Sequence, residues 1–340
     1  MNRTASLHGV TRRRSCLGLA LALPLASHAQ ERGRTLRVGP GERWRTLHAA
    51  ARAARSGDVI EVLPGDYHAD VAVVELSQLT IRGLGDGAVF HADGQHAEGK
   101  ATLVVRGDVR IENLEFRGSR VPDGNGAGIR FEHGRLAVRR CRFFDNEMGI
   151  LTANQADMTL EVLDCEFGDA PRHQGLLHHL LYVGAIGTFV VSGCRFSGGW
   201  RGHLLKTRAL RSHVLYNQLD DGPRGEASYE LEFPNGGQNV VVGNLIAQSA
   251  KTRNPVLLSM GAEAQAGMRG SLILDNNTMV NAAGAQARFV HVWVDRLAGP
   301  TPVQMSNNRF VGAGQLDMTP AQDRGGNLRI DRVSLDLPSR

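Results

Sequence analysis

One phrase, returning nine times, constrains this 340-residue chain more than any other feature. Its clearest copies are Val109–Phe116 (VRIENLEF), Leu136–Phe143 (LAVRRCRF), Leu160–Phe167 (LEVLDCEF) and Phe189–Phe196 (FVVSGCRF). Looser copies are Leu79–Leu84, Val214–Leu219, Val240–Ile246, Leu272–Met279 and Val303–Phe310. One residue from each copy gives the series Leu84, Leu114, Cys141, Cys165, Cys194, Asn217, Asn244, Asn277 and Asn308, spaced 23 to 33 residues apart. Each copy alternates apolar and polar residues, the mark of a half-buried strand. A fixed period in this range marks a repeat architecture. Leucine-rich repeats need more regularly placed leucines, which are absent, and helical repeats need amphipathic helices, which are absent after the first one. A parallel β-helix remains, its coils stacked about 4.8 Å apart. The marked residues then form one inward ladder of leucine, cysteine and asparagine. The cysteines act there as small hydrophobes and the asparagine amides bond along the stack.

Such a solenoid needs its open ends sealed. Residues 44–55 read as a short helix with Trp44, Leu47, Ala50, Ala51 and Ala54 on one face. Gly57-Asp58-Val59-Ile60 and Pro64-Gly65-Asp66-Tyr67 follow as the first coil. This start resembles that of pectate-lyase-like proteins, exported members of that group included. The resemblance implies an all-β fold, a single-stranded right-handed parallel β-helix with a short N-terminal capping helix. It implies little about activity, because one fold hosts many chemistries.

The ends of the chain read differently. Arg3 and Arg12–Arg14 precede an apolar run, Cys16–Leu25, and Ser27-His28-Ala29 offers small residues for cleavage. That is the layout of a signal peptide over residues 1–29, for the Sec or the twin-arginine route, and it predicts a periplasmic or secreted protein. Residues 30–315 are then the solenoid, and 316–340 a loose tail or partial cap. Removing the four leader arginines takes the formal charge from +5 to +1. A general nucleic-acid partner is therefore not expected. No later segment is apolar enough to span a membrane, and a monomer is expected.

Three successive coils break the pattern: 178–184, 202–209 and 227–237. Stacked on Leu181, Leu205 and Leu231, they bring Tyr182, Lys206 and Glu232 into one outward row. Arg208 and Glu230 also point outward in this alignment, while His179, His203 and Tyr229 point inward. β-Elimination on a uronate needs a cation on the carboxylate, a base at C5 and a proton donor for the leaving oxygen. Arg208 suits the first role, Lys206 the second, and Tyr182, His203 or His179 the third. Glu230 and Glu232 oppose a neutral lysine and are instead candidate Ca²⁺ ligands. Asn235 and Trp293 are candidate substrate contacts, Trp293 as a stacking platform or a core filler. The lysine–arginine pattern resembles that of some polysaccharide lyases of this fold, which implies an acidic polysaccharide as partner. Two other readings stand beside it: a non-catalytic polysaccharide-binding surface protein, and a glycoside hydrolase with paired carboxylates.

Overall fold

The computed structural model describes residues 33–331, save 174, 176, 319 and 320. The predicted leader and the last nine residues lie outside the described part. The described chain is a parallel β-solenoid of about ten turns. Three sheets of twelve, eleven and ten strands form its walls, and each turn adds one short strand to each wall. In one turn, Thr188–Ser192 lies in the first wall, Arg195–Phe196 in the second and Leu205–Thr207 in the third. The strands are three to seven residues long in most places, because the chain must turn a corner at each end.

The repeated phrase is the corner between the first and second walls. A residue with positive φ stands just before each ladder position: Asn113, Arg140, Asp164, Gly193, Tyr216, Gly243, Asn276 and Asn307. The ladder residue behind it turns inward. The amide of Cys141 donates to the Cys165 sulfur at 3.4 Å, and that of Cys165 to the Cys194 sulfur at 3.3 Å. Asn217 then donates through Nδ2 to Asn244 Oδ1, Asn244 to Asn277 and Asn277 to Asn308, each at 3.0 Å. Asn308 continues this series to Asn327. The three cysteines are free and buried, as rungs of the ladder. The first rung differs from the expectation. Leu84 falls in a four-residue turn, and Ala88 takes the place beneath Leu114.

Two residues beyond the ladder runs a second internal stack. Tyr67, Phe90, Phe116, Phe143, Phe167 and Phe196 lie ring on ring, with centroids 4.8 to 5.7 Å apart. The helix is Leu47–Ala53, shorter than 44–55. Thr46 Oγ1 accepts from the Ala49 amide, and the buried Asp70 carboxylate accepts from the amides of Leu47 and His48. Its buried face is Leu47, Ala50 and Ala51. Strands Gln315–Asp317, Ala321–Asp323 and Leu328–Ile330 extend the three walls past residue 315. Among the described residues, no helix is long and apolar enough to cross a membrane.

Candidate active site on the third wall

Several of the corners leading from the second wall into the third are long, as between Gly168 and Leu181 and between Asp220 and Leu231. The strands of the third wall stack as the leucines predict, with Leu181 on Leu205 and Leu205 on Leu231. Tyr182, Lys206 and Glu232 therefore share one row, which Ser259 and His291 continue. The row faces away from the core, yet it is not open. Lys206 is 7% exposed and Glu232 1%. Neighbouring rungs and a loop carrying Glu263 close over them, so the expectation of an exposed outer row is corrected to an outward but enclosed one.

Strict alternation also fails at the corner leading into these strands. Leu180-Leu181, Leu204-Leu205 and Leu257-Leu258 are each two consecutive residues of the main core. The chain rotates there, and the residue before each pair turns outward. Hence His203 joins the outer face, with Nε2 2.8 Å from Glu232 Oε2. His179 stands beside it, with ring centroids 4.5 Å apart, and meets Tyr182 edge-on at 5.2 Å. Both histidines were expected inward. The same rotation takes Glu230 inward, on the rung between Leu204 and Leu257. Its carboxylate is fully buried and neither oxygen has a hydrogen-bond partner. Glu230 and Glu232 thus cannot form the Ca²⁺ pair read from the sequence. Among the described residues no group of three or more His, Cys, Asp or Glu is placed to hold a metal ion.

The outward cluster is a chain of charged contacts. Lys206 Nζ lies 3.3 Å from Glu232 Oε2 and 2.7 Å from Glu263 Oε1. Glu263 bridges onward, accepting from Arg208 Nη2. Arg208 donates through Nε to the Tyr182 hydroxyl at 2.9 Å and through Nη1 to Asn235 Oδ1 at 2.5 Å. The Lys206 ammonium sits 5.5 Å from the centroid of the Tyr182 ring. His179 Nδ1 accepts from the His203 amide at 2.9 Å, which assigns its proton to Nε2. His203 Nδ1 is buried without a partner.

Electrostatics follow from this geometry. Burial, reinforced by His203 and Lys206, pushes His179 well below the usual imidazole range. Burial opposes the Arg208 charge, but hydrogen bonds to Glu263 and Tyr182 outweigh it and raise its pKa. Burial also opposes the Glu263 charge, and donation from Lys206 and Arg208 more than offsets it, lowering its pKa. Glu230 is the opposite case. With no side-chain donor, burial and then the Asp221 charge raise its carboxyl well above the usual range.

Two hollows flank the cluster. One of about 390 Å³ runs from Tyr182 past Arg130 and Lys100. The other, about 800 Å³, is lined by Arg208, Asn235, Arg211 and Arg269. Tyr182 lines the first depression and Arg208 the second. Trp293 lies apart, three coils beyond Arg208, or roughly 14 Å at the usual coil spacing. Its ring already packs on His291 at 4.1 Å and under Arg296 at 4.3 Å. Glu263 was missed by the sequence reading. It sits outside any strand, and only stacking the loops as well as the strands would have found it.

Neither a family model nor a curated protein sequence matches the chain. Solved structures do. Pectate lyase Pel9A superimposes with a TM-score of 0.57 at 13% identity, covering 82% of this chain and 73% of that one. An alginate lyase from Paenibacillus sp. str. FPU-7 gives 0.53 at 14% identity, covering 85% and 99%. At these identities the likeness is one of fold, and the fold is that of pectate-lyase-like parallel β-helix proteins.

Proposed function

We propose that this protein is an exported polysaccharide lyase that cleaves a uronate polymer by β-elimination on its third wall. The solenoid is then right-handed, as parallel crossovers nearly always are. Helix Leu47–Ala53 caps its start, and residues 1–29 direct export. Two of the similar solved structures are lyases of pectate and of alginate, both polyuronates, which favours this substrate class.

The observation that carries the reading is the contact between Arg208 and Tyr182. Arg208 donates to the phenol oxygen, so the Tyr182 proton is free to point into the groove. In the reaction, a base removes the C5 proton next to the carboxylate. The electron pair forms the C4–C5 double bond, and the C4–O bond breaks as its oxygen gains a proton. Arg208 and Lys206 offset the charge that develops on the carboxylate, and Asn235 Nδ2 donates a hydrogen bond to it. Tyr182 gives its hydroxyl proton to the C4 oxygen as that bond breaks, and His203, with Glu232 against Nε2 and no partner on Nδ1, is the base that takes the C5 proton. Lys206 lies between two carboxylates, surroundings that suit a fixed cation better than the base first read from the sequence. Glu230 takes no part.

The test is to incubate the protein, with and without chelator, with pectate, alginate and other polyuronates. Unsaturated uronate ends, seen by their ultraviolet absorbance, are expected on at least one polymer and absent with Lys206→Ala. Reducing ends without unsaturation would make it a hydrolase. Retention of a polymer without cleavage would make it a binding protein.

A further inference from the structure

The contacts of Glu263 point to a binding site that already holds a surrogate. We propose that Lys206 and Arg208 form a subsite for one uronate carboxylate, and that Glu263 fills this subsite in the free protein. The proposal rests on the polyuronate reading of the same wall.

Three observations support it. First, Glu263 reaches both cations at once, one carboxylate oxygen to each. This is the arrangement a substrate carboxylate would adopt. Second, the two carboxylates on Lys206 differ in kind. Glu232 stands on a strand with its side chain 2% exposed, whereas the Glu263 side chain is 45% exposed. Glu232 is a fixed part of the wall, and Glu263 approaches from the solvent side. Third, Glu263 lies in a segment, residues 261–269, that pairs with no strand. Gly261 and Gly267 near its ends hold φ of 89° and 88°, which glycine adopts freely. Apart from the Glu263 carboxylate, its two ends are fixed by the Gly261 amide on the Phe233 carbonyl and the Gly237 amide on the Arg269 carbonyl, and between them it is held by the Glu263 amide on the Pro234 carbonyl, Arg296 on the Ala262 carbonyl and the Ala298 amide on the Met268 carbonyl.

Charge decides between joint and exclusive occupancy. Lys206 and Arg208 bring two positive charges, and Glu232 already offsets one. Glu263 offsets the other. A substrate carboxylate added to that set would meet a third negative charge within the same cluster, which like-charge repulsion disfavours. Glu263 and the substrate carboxylate therefore compete for the two cations. Polymer binding must displace the Glu263 side chain, and this favours chains that supply a carboxylate over neutral glycans.

The experiment measures binding and not cleavage. Galacturonate, glucuronate and mannuronate are titrated calorimetrically into the protein and into Glu263→Gln, with galactose as the neutral control. The expected result is about a tenfold or greater gain in affinity for at least one uronate in Glu263→Gln, with no gain for galactose. Adding Arg208→Gln should abolish the gain. Glu263→Ser, with matched thermal melting, serves should the glutamine variant fold poorly. Equal or weaker uronate binding in the Glu263 variants overturns the proposal, as does a failure of every form to bind a uronate. A gain in affinity without unsaturated products would leave the subsite standing and remove the lyase reading. Lyase activity with unchanged affinity would do the reverse.

Discussion

Glu230 and Glu232 stand two residues apart in one coil and lie in different environments. Glu232 faces outward, against His203 and Lys206. Glu230 sits in the core with both oxygens unpartnered, on the rung between Leu204 and Leu257. The leucine column through Leu180, Leu204 and Leu257 is thus interrupted by one acid. Restoring it with Glu230→Leu should raise stability by roughly 1–3 kcal/mol, the usual cost of an unpaired buried polar group. Denaturant melts measure it, and a loss of stability would mean that Glu230 has a partner such as ordered water.

The same residue predicts a pH dependence. Its folded pKa is raised, so between the unfolded value of about 4.3 and the folded one the native state binds more protons than the unfolded state. Stability from this group therefore falls as pH rises through that window, and Glu230→Gln should flatten the slope. Melts of both proteins from acid to neutral pH test the sign.

The asparagine ladder should be the least forgiving part of the interior. Asn244 Oδ1 accepts from both the amide and Nδ2 of Asn217, and its Nδ2 donates to the Val214 and Val242 carbonyls. Asn244→Ala leaves several buried groups unpaired and should cost roughly 2–3 kcal/mol. Cys165→Ala removes a small sulfur rung and one weak acceptor, that of the Cys141 amide, and should cost less than Asn244→Ala. Equal losses would show that the amide bonds add little beyond packing.

At the corner, Arg140 holds φ of 51°, a conformation that costs an ordinary L-residue about 1 kcal/mol and asparagine less. Its side chain is largely exposed, and its nearest acid, Glu112, is 3.9 Å away. Arg140→Asn should therefore stabilise by about 0.5–1 kcal/mol. An unchanged melting midpoint would contradict this.

Within the site, Asn235 and Arg208 are assigned to the carboxylate and Tyr182 to the proton. Asn235→Ala should raise KM on the cleaved polymer about tenfold while changing kcat less. A fall in kcat alone would move Asn235 into the chemistry.

The regular part of the molecule was legible because stacking reads directly from a period. Cys141, Cys165, Cys194 and the four asparagines fell on one ladder, and the leucine-based register placed Tyr182 over Lys206 and Lys206 over Glu232. What misled was assuming alternation through a corner. The doublets Leu204-Leu205 and Leu257-Leu258 violate it in the sequence itself, and they flip His203 outward and Glu230 inward. Glu263 was hidden for another reason. Loop residues carry no periodicity, so nothing in the local pattern tied it to a lysine 57 positions earlier.

The central claim is that Tyr182, held by Arg208, moves a proton on a uronate chain. Tyr182→Phe keeps the ring beneath Lys206 and removes only the hydroxyl, so folding and uronate affinity should be nearly unchanged. On the polymer that the unaltered protein cleaves, the rate of forming unsaturated ends should drop at least about 100-fold. A Tyr182→Phe protein that cleaves at the original rate would contradict the account.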